Sequence, residues 1–142
     1  MAINIIDLYL KNAPGALGEV TAFLESEKID IHCIANSGEE DYIPVSMVVS
    51  HTEKAVHGLK KLGYELDVEE GIACEVPHHP GGLNSVLRVL SDNNINIISI
   101  FSAPSRIAGT AIAVLRVNDT DLAEDLLKKN WIKLLEVQDM AL

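Results

Sequence analysis

Two short segments of this 142-residue sequence carry residue types and spacing that suit binding chemistry. One is Asn12-Ala13-Pro14-Gly15-Ala16-Leu17, and the other is His78-His79-Pro80-Gly81-Gly82-Leu83. Proline is tolerated in a helix's first turn, where its missing N–H would lack a partner anyway, so each segment reads as a helix start. A helix N-terminus presents unpaired N–H donors and a partial positive charge, which suits a carboxylate. Gly15, and Gly81 and Gly82 in the second segment, carry no side chain to block approach to that backbone. Asp30 offers a partner for an α-ammonium group. The same residues also fit a structural role, in which Pro-Gly starts a helix that packs tightly on a strand. The residues alone leave both readings open.

Other chemistry is sparse. A metal site wants three or four convergent ligands, and adjacent histidines such as His78 and His79 point to opposite faces of an extended strand. No metal is expected. Were His78 to touch a ligand, its titration near neutral pH would make binding pH-dependent. Cys33 and Cys74 lie in apolar runs without CxxC spacing, which suits small buried hydrophobes, reduced thiols and a cytoplasmic setting. Ser105-Arg106, in a turn between strands, reads as solvated. No GxSxG, HExxH, Walker loop or paired-carboxylate helix occurs, and no nucleophile–base pair is visible. Neither an enzyme nor a bound cofactor is expected.

The elements that would position the two segments come from an internal repeat. At an offset of 66, residues 14–34 match residues 80–100 at eight of 21 positions without a gap. The matches are Pro14/Pro80, Gly15/Gly81, Leu17/Leu83, Val20/Val86, Leu24/Leu90, Ile29/Ile95, Ile31/Ile97 and Ile34/Ile100. Period-2 alternation predicts a strand over Ile3–Leu10, and Leu17, Val20 and Leu24 mark one helical face. Strands near Asp30–Asn36 and Ile43–Ser50 follow. Then come a helix marked by Ala55, Leu59 and Leu62, capped by Gly63, and a strand over Tyr64–Val68.

The second copy reads the same way. Its strands fall over Ile72–Val76, Asn96–Ala103, Gly109–Val117 and Trp131–Val137, with helices carrying Leu83, Val86, Leu90 and then Leu122, Leu126, Leu127. The expectation is an α+β chain of two ferredoxin-like βαββαβ units in tandem, residues 1–69 and 70–142, each an antiparallel sheet with helices on one face. The boundary is placed at Glu69-Glu70-Gly71. Ile97, Ile98, Ile100 and Phe101, and the run Ala111–Leu115, make both faces of those strands apolar, so something must cover the second face. Units of this size are also rarely stable alone, which favours a homo-oligomer.

Charge excludes several partners. Eleven basic and 21 acidic residues give a net charge of −10, which disfavours a phosphate backbone and an anionic membrane surface. Residues 1–70 carry 5 − 13 = −8 of it and residues 71–142 carry 6 − 8 = −2. The longest nearly apolar stretch, Ala108–Leu115, is far short of a membrane span, and the N-terminus lacks a basic signal region.

A βαββαβ unit with Asn-x-Pro-Gly-x-Leu at its first strand–helix junction resembles the ACT domain. Residues 12–17 fit that motif fully, and residues 78–83 fit it except at His78. The chain looks like a stand-alone tandem pair of ACT regulatory domains. The resemblance implies a non-catalytic sensor of a small molecule, most often an amino acid, held at the strand–helix loops where ACT units meet. It also implies a homodimer and an unidentified enzyme or regulator as downstream partner. In the family's regulatory domains the ligand lies beside the first loop and meets an Asn early in the second strand of a paired unit. Carried over, the loop positions are Asn12, Ala13, Pro14, Gly15, Ala16 and Leu17, then His78, His79, Pro80, Gly81, Gly82 and Leu83. The strand positions are Asp30 with Ile31, and Asn96 with Ile97. The competing class is a structural or interaction module with degenerate ligand sites.

Overall fold

The alternation of Ile6, Leu8 and Leu10 with Asp7 and Tyr9 produces β1 (Ile3–Lys11), which leads through the first Pro-Gly loop into α1 (Ala16–Ser26). In the computed structural model, which describes residues 2–141, the order continues with β2 (Ile31–Asn36), β3 (Tyr42–Val49), α2 (Thr52–Lys61) and β4 (Glu65–Pro77). It then runs α3 (Gly82–Ser91), β5 (Ile97–Ala103), β6 (Thr110–Val117), α4 (Thr120–Lys129) and β7 (Leu134–Leu135), ending in a 3-10 turn over Val137–Met140. The chain divides into two units, one spanning Asn4–Glu69 and the other running from Glu70 onward and taking in Ile3.

Each unit is a βαββαβ fold with an antiparallel sheet. In the first, β3 lies between β1 and β2 and is antiparallel to both, and β4 borders β1. In the second, β6 lies between β4 and β5, and β7 pairs with β4. The helices bury their apolar stripe on one sheet face. Val20, Leu24, Ala55 and Leu59 pack with Ile6, Leu8, Leu10, Val45, Met47 and Val49. Val86, Leu90, Ala123 and Leu127 pack with Ile72, Cys74, Ala113, Leu115 and Val117. Each fully buried leucine is worth about 1.5–3 kcal/mol relative to exposure, so these stripes hold helices to sheet. On the face away from the helices Val48 and Cys33 are buried in the first unit, and Ala73, Ile112 and Val114 in the second. In β5, Ile98 and Ile100 are exposed, and Ile100 pairs with Leu115 of the helix-facing core.

Several expectations are corrected. The two strands expected on either side of Glu69-Glu70-Gly71 are one 13-residue strand, because Gly71 keeps strand conformation instead of turning. Leu62 lies past the end of α2 and is exposed, and Leu122 is exposed as well; Ala123 and Leu127 make the buried face of α4. The final strand does not start at Trp131 or reach Val137. Trp131 closes α4 at φ 62, and the strand ends at Leu135 because Glu136 opens a capping box whose N–H donates to Asp139 Oδ2 at 2.9 Å.

All four helices end alike. The residues Lys28, Gly63, Asn94 and Trp131 take positive φ, and the N–H that follows each donates to the carbonyl five residues before it, as in Ile29 to Leu24 and Ile132 to Leu127. Gly63 is the only glycine of the four, and so the only end the sequence announces. The second half of the repeat also becomes visible at an offset of 68. Thr52, Ala55, Leu59, Lys60 and Lys61 match Thr120, Ala123, Leu127, Lys128 and Lys129.

A non-glycine residue in the left-handed region costs about 1–2 kcal/mol. Trp131 is 95% exposed and has little packing to lose. Trp131→Gly is therefore expected to stabilise the chain by roughly 1 kcal/mol in urea denaturation followed by circular dichroism. Gly63→Ala, at the equivalent helix end, should lower stability by a similar amount.

Candidate functional site

Both Pro-Gly segments form the loop the spacing implies. After β1, the Asn12 N–H donates to Asp41 O at 2.7 Å and the Ala16 N–H to Ala13 O at 3.2 Å. Gly15 caps α1 at φ 84. After β4, the His78 N–H donates to Gly109 O at 2.9 Å, the Gly82 N–H to His79 O at 2.9 Å, and Gly81 caps α3 at φ 85. The second loop is tighter. A Cβ on Gly82 would lie 1.9 Å from Pro77 O, so no other residue fits, whereas the first unit has Ala16 at that position. Neither α1 nor α3 receives a side-chain cap, in contrast to α4, where Asp119 accepts from the Leu122 N–H at 3.1 Å. With the Ala16 and Gly82 N–H groups bonded back into their loops, the uncapped first-turn donors are those of Leu17 and Gly18 in α1 and of Leu83 and Asn84 in α3.

The strand positions lie elsewhere. The Asp30 N–H donates to Ser50 Oγ and the Asn96 N–H to Asn118 Oδ1, both at 3.0 Å. Ile31 pairs with Val49, whereas Lys11 at the loop end pairs with Tyr42. Those partners sit at opposite ends of β3, roughly 23 Å apart at the usual strand rise. In the second unit Ile97 pairs with Val117 and Pro77 with Thr110, at opposite ends of β6. Neither unit by itself brings its loop residues together with Asp30-Ile31 or Asn96-Ile97.

What the structure does place beside the second loop is a cleft of about 640 Å³. Its walls are Val76 and Pro77 at the end of β4, the loop residues His78, His79 and Pro80, and Leu83 of α3. Ile100, Phe101 and Ser102 of β5 and the Ala111–Ala113 stretch of β6 complete it. A neighbouring pocket of about 330 Å³ shares His78, Ser102 and Ala111 and adds Ser105 and Thr110, whose hydroxyls are 2.7 Å apart. The sequence reading placed His78, His79, Pro80 and Leu83 at a site and missed the β5 and β6 walls. Its one usable signal was the small–large alternation of Ala111-Ile112-Ala113-Val114.

The first unit has a cleft of about 630 Å³ with another character. It is lined by Lys11, Glu19, Lys60 and Glu65 together with Tyr9, Tyr42 and Tyr64, and it meets the Pro-Gly loop at Ala16. Asn12, Ala13, Pro14 and Gly15 are exposed to solvent.

Four groups titrate unusually, among them Tyr64, whose hydroxyl is raised by burial and by the neighbouring Glu19 carboxylate. Burial pushes the Cys74 thiol up to about 12 and the Cys33 thiol up to about 11, the latter despite a backbone hydrogen bond at Val48. Both are free thiols. Burial lowers His32 from its ordinary value, partly offset by the Asp30 carboxylate. Among the described residues no group of three or more His, Cys, Asp or Glu side chains could hold a metal ion, and no helix is long and apolar enough to cross a membrane.

Residues 72–129 match the family model described as ACT domain. The second unit therefore carries an ACT domain. The chain is similar to protein BT0572 from Bacteroides thetaiotaomicron, with 26% identity and a TM-score of 0.91 over 99% of this chain and 96% of that one. It is also similar to the ligand-free regulatory subunit of aspartate kinase from Thermus thermophilus, at 17% identity and TM-score 0.66 over 88% of each chain. The aspartate kinase of Clostridium acetobutylicum matches at 14% identity and TM-score 0.59, over 89% of this chain and 32% of the enzyme. The last two likenesses are of fold. No curated protein matches the chain.

The titrations give two expected outcomes. A thiol-specific disulfide reagent at about pH 8 should leave Cys33 and Cys74 unmodified in the folded chain and react with both after denaturation; labelling of either under native conditions contradicts their burial. Because His32 is harder to protonate when folded, the unfolded chain binds more protons below the ordinary value of 6.5, and stability falls there. Urea titrations at about pH 7.5 and about pH 5.5 should show wild type losing more stability on acidification than His32→Gln.

Proposed function

We propose that this chain is a non-catalytic regulatory protein that binds an amino acid beside its strand–helix loops, at contacts between ACT units. The observation that carries this reading is the second-unit cleft. A concave site of about 640 Å³ opens beside the loop His78–Gly82 and the uncapped start of α3. Concavity with mostly apolar walls and a few polar groups is the usual build of a small-molecule site. The loop residues proposed as ligand contacts are Asn12 to Leu17 and His78 to Leu83. Asp30, Ile31, Asn96 and Ile97 complete a site only when supplied by a different unit from the loop. That requirement favours a homodimer. The likeness in fold to a regulatory subunit of aspartate kinase supports a role in regulating a separate enzyme. The two buried free thiols support a cytoplasmic location.

A second reading, a structural or interaction module with degenerate sites, is favoured by one observation. The first unit's loop meets a charged cleft only at Ala16, and its strand position holds Asp30 where the family pattern has Asn.

A thermal-shift screen against the standard amino acids at millimolar concentration separates the two. A ligand at 100 times its dissociation constant adds about 2.7 kcal/mol, which for a chain of this size raises Tm by several degrees. At least one amino acid is expected to do so. A flat response to the whole panel overturns the ligand reading and leaves the structural one.

A further inference from the structure

The two units differ at one pair of positions behind the loop. On the helix-facing side of β3, Ile43 pairs with Leu10 and Val45 with Leu8. At the equivalent positions of β6, Ala111 pairs with Val76 and Ala113 with Cys74. The second unit therefore has two methyl groups where the first has branched side chains. The space they vacate is walled by Val76, Leu83 and Ile100. Leu83 and Ile100 each remain 43% exposed instead of closing over it.

No Asp, Glu, Lys or Arg lines this cleft. A charged side chain entering it would lose water without gaining a counter-charge, which is unfavourable; an apolar side chain loses nothing and gains contacts. Polar groups are confined to one end. There His78 and Ser102 line both the cleft and the adjoining pocket that holds Ser105 and Thr110. The arrangement suits a molecule with an apolar body and a single polar head.

We infer that the second unit's cleft selects an α-amino acid with an uncharged, apolar side chain between leucine and phenylalanine in size, with its polar head toward His78 and Ser102. This rests on the amino-acid reading above and names the class. The charged first-unit cleft does not take the same ligand, so one apolar molecule binds per chain.

Isothermal titration of the full chain with leucine, phenylalanine, aspartate and lysine tests the inference. Leucine or phenylalanine should bind at one per chain, and aspartate and lysine at least about tenfold more weakly. Ala111→Ile restores the residue type that the first unit accommodates, and Leu83→Glu places a charge at the cleft mouth on an exposed helix position. Each should weaken apolar ligand binding at least about tenfold while leaving the circular dichroism spectrum unchanged. Should Ala111→Ile disturb folding, Leu83→Glu alone decides. Tighter binding of aspartate or lysine than of leucine and phenylalanine, two apolar ligands per chain, or unchanged affinity in a folded variant overturns the inference while leaving amino-acid binding intact. An absence of binding by all four, together with a flat thermal-shift panel, overturns both.

Discussion

The left-handed turn at Gly15 and Gly81, with φ of 84 and 85, is the constraint on which the rest of each unit depends. It reverses the chain directly from strand into helix, with no room for a longer connection. The helix therefore starts above the strand it has just left, and its Leu–Val–Leu stripe falls on that strand's apolar face. Any residue with a Cβ there gives up about 1–2 kcal/mol. The same turn leaves the first helical N–H groups without a side-chain cap, because a glycine has none to offer. Helix packing and the uncapped donors thus have one cause. The second unit tightens the arrangement further, since Pro77 O approaches so near Gly82 that only hydrogen fits.

The cleft beside that loop is a choice against packing. Filling it with the Ile43 and Val45 of the first unit would bury more apolar area at roughly 25 cal/mol per Å². Ala111 and Ala113 forgo that gain. The cost is tolerable because the helix stripes already anchor this unit, with Val86, Leu90 and Leu127 all at or near full burial. A sheet edge that keeps Ile100 and Leu83 partly in water while holding open space between them is poorly explained by folding alone. The amino acid proposed for this cleft would cover both.

Local signals were legible in the sequence and non-local ones were not. Pro-Gly, the helical stripe and the period-2 strands each depend on neighbours a few residues away, and they gave the βαββαβ order correctly. The repeat was read at an offset of 66 and lost after Ile100, because two extra residues enter the β5–β6 connection and shift the rest to 68. With that shift unseen, Ala111 could not be set beside Ile43, and the β5 and β6 walls of the cleft were missed. Trp131 was misread for a different reason. Its aromatic ring suggests a strand, but the end of α4 needs a positive φ at that position, and hydrogen bonding of the following N–H prevails over side-chain propensity. Gly71 misled in the opposite sense, since a glycine in extended backbone is no turn at all.

The corrected register also separates scaffold from site. At offsets of 66 and then 68, the two copies agree wherever the backbone or core leaves no alternative: Pro-Gly, the helix stripes, and the positive φ at each helix end. They disagree where side chains face a cleft. Ile43 and Val45 oppose Ala111 and Ala113, Asn12 opposes His78, and Lys11, Glu19 and Glu65 of the first cleft oppose Pro77, Ser85 and Lys133. The charge imbalance of −8 against −2 follows the same division. Were the copies simply two structural repeats, their differences would scatter over exposed positions, since those are the ones that tolerate change at little cost. Instead, two of the differences are buried or half-buried on one strand face, where a change of size alters packing energy directly. Differences at these costly positions, next to the loop, set the packing of the second unit apart from that of the first.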